Sequence, residues 1–141
     1  MRARNIRIAL LIMDAFVAVT AAVGGLALVT GLEGDRFPLN LLESTPFSSY
    51  MVPGLILTVV VGGSASIAIA ALLRGLDSGA PASIIAGAIL MGWIIGEALL
   101  LHQPSWFEAF YFALGVTMAA LGLVGGWTQR DLPLHAQKER T

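Results

Sequence analysis

The chain has 141 residues, of which 57% are hydrophobic and 12% charged, with a formal net charge of -1 and a mean hydropathy of +0.82. Soluble domains carry about a quarter charged residues, so this composition belongs to lipid; it excludes intrinsic disorder and leaves no basic stripe for a nucleic acid. The absence of cysteine excludes disulfides, thiolate catalysis and zinc-thiolate sites.

A spanning helix needs about 20 mostly apolar residues, and four segments meet that requirement. The first runs from about Ile8 to Leu32 and holds one charge, Asp14. Three arginines ahead of an apolar run resemble a secretory signal peptide, with Val19-Thr20-Ala21 as a passable cleavage site, but the run is too long for an h-region and reads as a retained helix. The second span, from about Val52 to Leu73, has no charge. The third, from about Pro81 to Leu101, holds Glu97, and the fourth runs from about Phe107 to Trp127. Pro53 and Pro81 fall in first turns, where proline is tolerated. Ser105 and Glu108 have the spacing of a capping box, and Gly75 and Gly79 punctuate the turn after the second span. Residues 1–129 thus read as one transmembrane domain and 130–141 as a polar cytoplasmic tail.

With four spans, Arg2, Arg4, Arg7, Arg74, Arg130, Lys138 and Arg140 share one side, and only Arg36 lies on the other. The positive-inside rule then places both termini in the cytoplasm. The outer loop between helices 1 and 2 is apolar, as in Pro46-Phe47-Ser48-Ser49-Tyr50-Met51, and is expected on the outer interface or over the bundle mouth.

In lipid, helices associate through close packing of small residues. In the second span Gly54, Thr58, Gly62, Ser66 and Ala70 recur every four residues; the third span offers Ala88, Gly92 and Gly96, and the fourth Gly115, Ala119, Gly122 and Gly126. The expected fold is all-α, an antiparallel four-helix transmembrane bundle. Packing within the chain is the first use of these rows, and a homo-oligomer interface the second.

An ionisable residue inside a span is a functional hypothesis by default. Asp14, about six residues into the first span, is expected ~9 Å deep. Arg7 lies two turns earlier on the same face, and Arg74 ends a neighbouring span. The site reads either as a structural ion pair or hydrogen-bonded acid, or as a proton or cation site. Glu97 is expected ~6 Å from the outer end of the third span, with Trp93 one turn below and His102 just beyond. With Tyr50 and Phe47 of the loop they form a candidate outward-facing pocket for a cationic or amphipathic ligand; a packed tryptophan beside an interfacial acid fits the same residues. Asp14 and Glu97 lie in opposite halves, so paired-carboxylate chemistry is unsupported. No histidine set, Walker, GxSxG or HExxH pattern appears. No enzyme, cofactor or metal is expected.

The stretch Pro46-Phe47, Tyr50 and Pro53-Gly54-Leu55, the pair Gly62-Gly63, and Gly92-Trp93-Ile94 with Glu97 resemble small uncharacterised four-span membrane proteins of bacteria. The resemblance covers most of the chain and implies a bacterial inner-membrane protein, without an activity. Four spans with an acid in the first also resemble small multidrug-resistance transporters, whose first-helix glutamate couples protons to cation export; the matching position here is Asp14. This chain differs in its aspartate, its long outer loop and its one-way charge bias, which argues against dual-topology packing. The first expectation is therefore a small binding or accessory membrane protein. It would hold a lipid-like or amphipathic molecule, or a partner's transmembrane helices, within membrane lipid. The alternative is an oligomeric proton-coupled small-molecule transporter or channel using Asp14.

Overall fold

The computed structural model describes residues 3–31, 50–101 and 105–139, with side chains described for 4–31, 50–99 and 105–126. Helix α1 is Ala3–Thr30. The second span is one continuous rod in three pieces: α2 (Met51–Ile56), a π turn (Leu57–Gly62) and α3 (Gly63–Leu73). Helices α4 (Gly79–Leu101) and α5 (Trp106–Glu139) complete the bundle, and no strand occurs among the described residues. Four helical stretches are long and apolar enough to cross a membrane: Arg4–Thr30, Met51–Leu73, Gly79–Leu99 and Trp106–Gly126. This is an all-helical multi-pass membrane architecture. Helix α5 runs on past the fourth span to Glu139.

Each helix packs against its neighbours in sequence, and α1 closes the ring against α5. The second span and α5 do not meet among the described residues, and α1 and α4 meet least of the touching pairs; these are the two diagonals. The turn between α3 and α4 is a Schellman motif. Gly75 takes the left-handed φ of 66°, Leu76 N–H donates to the Ala71 carbonyl at 3.0 Å, and Gly75 N–H donates to that of Leu72 at 3.2 Å.

Two glycine pairs set the helix crossings. A Cβ on Gly54 would lie 2.7 Å from the Gly25 carbonyl oxygen, and one on Gly25 would lie 2.6 Å from that of Gly54. The same reciprocal fit joins α4 to α5, where a Cβ on Gly87 would lie 2.7 Å from the Gly115 oxygen. Aromatic rings close α1 on α5: Tyr111 is buried, with Phe16 stacked on it at 6.0 Å and Phe107 at 4.7 Å.

The small-residue rows read from the sequence are corrected in part. Gly54 and Gly62 are buried and Thr58 half-buried, but Ser66 is exposed and bonds back to the Gly62 carbonyl. A row spaced by four drifts about 40° per step around a helix of 3.6 residues per turn, so it leaves the interface; the buried line runs instead through Val61, Ala65, Ala68 and Leu72. On α4 the buried line is Ala80, Ser83, Ala86, Leu90 and Ile94. Gly92 and Gly96 fall on the other side, and a Cβ at either would meet nothing within 4 Å.

Candidate functional site

The core divides into two apolar clusters. One holds Ile6, Leu10 and Leu72 near the end of the bundle where α1 begins. The larger holds Val17, Ala21, Val61, Ala65, Ala68, Ala86, Leu90 and Met118, among others. Along α1 the division falls near Asp14, and on α4 Ser83 lies at the edge of the larger cluster, since no described α4 residue belongs to the smaller one. Both residues are 0% exposed. The Ser83 hydroxyl donates to Asp14 Oδ2 at 2.6 Å, and Asp14 Oδ1 has no hydrogen-bond partner. A polar pair therefore lies across the α1–α4 diagonal, walled by apolar side chains above and below.

Of the two structural alternatives for Asp14, the hydrogen-bonded acid is the one observed, and no ion pair with Arg7 or Arg74 is formed. Arg7 is exposed, and its guanidinium donates to the Leu73 carbonyl at 3.2 Å. There it meets the negative end of the second span. Arg74 is also exposed, in the turn. Asp14 lies ten residues, about 15 Å, along the candidate span that begins at Arg4. Arginine side chains at the helix ends reach outward to polar surroundings rather than inward over two turns.

Between the polar pair and the helix ends lies a cavity of about 110 Å³, lined by Ile6, Arg7, Leu10, Leu72, Gly75, Leu76, Ala80 and Gly125. Its Arg7, Gly75 and Leu76 walls are exposed, and its Leu10, Ala80 and Gly125 walls are buried.

At the other end of α4 the Trp93 indole N–H donates to the Glu97 carboxyl, and Glu108 of α5 lies nearby. Trp93 packs against the larger core cluster, so it serves as a packed residue and a hydrogen-bond donor together. Glu97 and Tyr50 are half-buried. His102, Phe47 and the outer loop lie outside the described residues. Asp14 and Glu97 are held apart: Ser83, which touches Asp14, is fourteen residues from Glu97 on the same helix, about 21 Å.

Sequence reasoning missed Ser83 as the partner of Asp14, because nothing in α4 taken alone marks which serine faces the diagonal. It also missed Thr58 as a polar orphan. Several hydroxyls in the spans bond to the carbonyl four residues back, as Thr20, Thr30 and Thr117 do. Thr58 Oγ1 has no partner. It lies in the π turn, filling the space that a Cβ on Gly25 would need. Among the described residues no three His, Asp or Glu side chains come together as a metal set. The chain matches no protein-family model, no curated protein and no solved structure.

Proposed function

We propose that the protein is a proton-linked small-molecule transporter or channel of the cell membrane, working as an oligomer, with Asp14 as the group that carries the proton. One observation carries this reading: Asp14 is wholly buried on the bundle diagonal, with no cation bonded to it among the described residues and one oxygen without a partner. A lone charge in such surroundings costs several kcal/mol unless it is neutralised, and a proton neutralises it without further ligands. Ser83 keeps the carboxyl in place in either state, since its hydroxyl both donates and accepts. The arginine bias of the sequence supports cytoplasmic termini and hence Asp14 in the cytoplasmic half.

The test is proton flux into proteoliposomes with a trapped pH dye under an imposed gradient, with and without tetraphenylphosphonium as a probe cation. Wild-type flux above that of Asp14→Asn in either condition supports the reading. Equal rates in both conditions remove Asp14 as the carrier.

A second reading, a protein that binds a lipid-like or amphipathic molecule or a partner's helices, is favoured by the other end of α4. There Trp93 and Glu97 form a half-buried polar pair, and Gly92 and Gly96 face away from the bundle. Native mass spectrometry from gently extracted membranes tests it. A retained small mass or a bound partner supports it, and a bare homo-oligomer supports the first reading.

A further inference from the structure

We propose that the cavity between Arg7 and Leu10 is the route by which water, and with it protons, reaches Asp14 from the Arg7 end of the bundle. This rests on the reading of Asp14 as a proton carrier. Three independent observations place the cavity on that path.

The first is position along both helices. Leu10 is one turn before Asp14 on α1, and Ala80 is one turn before Ser83 on α4; both line the cavity. Its buried end thus lies within about 6 Å along the helix axes of the polar pair. The second is direction. α1 and α4 both begin at this end, as Arg7 and Ala80 on one cavity show. In a helix the Cα–Cβ bond tilts toward the N-terminus, so those of Asp14 and Ser83 both tilt toward the end of the bundle that holds the cavity. The third is the state of Asp14 itself. It is 0% exposed and keeps one oxygen, Oδ1, without a partner, so a water brought to it would find an unfilled acceptor.

The cavity has room for several waters, each needing at least ~10–15 Å³. Its mouth is exposed at Arg7, Gly75 and Leu76. Arg7, Arg4, Arg74 and Asp77 are exposed charges at this end, and none of them bonds to Asp14. Neither Asp14 nor Ser83 lines the cavity, whose apolar wall includes Ile6, Leu10 and Leu72; on the proposed route a rotamer change at Leu10, one turn before Asp14, would open the wall. The carboxyl O–H bond then breaks, the proton passes to a water oxygen, and the electron pair stays on Asp14 Oδ1; uptake is the reverse.

The absence of native cysteine makes the test clean. Ala80→Cys in proteoliposomes is treated with a small membrane-impermeant methanethiosulfonate. In parallel, the carboxylic C=O infrared band that is lost in Asp14→Asn is followed on transfer to D2O. Leu76→Trp covers the mouth from an exposed position, and Gly125→Ala narrows the buried end. Labelling of Ala80→Cys, together with at least tenfold slower carboxyl exchange and protection of the thiol in Leu76→Trp, is the expected result. If the band exists but exchanges at the same rate in Leu76→Trp and Gly125→Ala, and the thiol stays unlabelled, the route is wrong while Asp14 remains a proton carrier. If no band distinguishes wild type from Asp14→Asn, the proton-carrier reading falls and the route with it.

Discussion

Ser83 reaches Asp14 at 2.6 Å across a diagonal where α1 and α4 otherwise barely touch. A single hydrogen bond there ties the first helix to the third span at the division between the two core clusters. Its energetic role is separable from its functional one. Ser83→Ala leaves both Asp14 oxygens without a partner, and an orphaned buried acceptor costs about 1–3 kcal/mol. Replacing both members with apolar groups removes the desolvation penalty as well. Thermal unfolding in detergent should therefore rank Ser83→Ala below wild type, and Asp14→Leu/Ser83→Ala within about 1 kcal/mol of wild type or above it. A double variant less stable than Ser83→Ala would make the pair a structural fastening.

The glycine crossings predict a contrast between residues of one type. A Cβ on Gly25 would overlap Thr58 Oγ1 and press on the Gly54 carbonyl, so Gly25→Ala must push α1 from the second span, and overpacking typically costs about 1–3 kcal/mol. At Gly92 the same methyl meets nothing within 4 Å. Alanine is favoured over glycine in a helix interior by roughly 0.8–1 kcal/mol, so Gly92→Ala should leave the unfolding temperature unchanged or raise it. A lowered temperature in Gly92→Ala together with loss of an oligomer on size exclusion would instead assign that face to an intermolecular contact.

Hydropathy made the four spans readable in the sequence, because about 20 apolar residues in a row admit few alternatives. The ends moved by four residues at most. What could not be read was rotation. The rows at Ser66, Gly92 and Gly96 had the right residue types and the wrong phase, since small side chains occur on lipid-facing and bundle-facing sides alike and spacing by four only approximates a turn. The partner of Asp14 was hidden for the same reason. Arg7 was close in sequence and opposite in charge, whereas Ser83 is sixty-nine residues away and is chosen by the rotation of α4. Trp93 with Glu97 was legible because both lie on one helix, one turn apart, and local geometry alone brings them together.

At the Glu97 end the hydrogen bond from Trp93 gives a spectroscopic handle. Glu97→Gln keeps an acceptor for the indole N–H, so the fold should survive unchanged. Glu97→Leu leaves the indole N–H without its acceptor, at about 1–3 kcal/mol. With Trp106 and Trp127 replaced by phenylalanine, the Trp93 emission maximum should shift in Glu97→Leu and hold in Glu97→Gln. No shift in either variant would place the indole N–H on another acceptor.

Arg7 separates the two accounts of Asp14 most sharply. Its guanidinium donates to the Leu73 carbonyl at 3.2 Å, capping the last turn of the second span beside the Schellman turn at Gly75. A cation at a helix C-terminus contributes about 0.3–1 kcal/mol when exposed. Were Arg7 instead the counter-ion of a buried Asp14, removing it would strand a charge and cost about 3–5 kcal/mol. Arg7→Gln retains a side-chain N–H donor for the carbonyl while removing the charge. It should therefore lower stability by no more than the smaller figure, and by the same amount in wild-type and Asp14→Asn backgrounds. Additivity in that double-variant cycle is the expected outcome, because the two residues share no partner. A coupling above about 1 kcal/mol would restore the ion pair and take from Asp14 the freedom to exchange its proton.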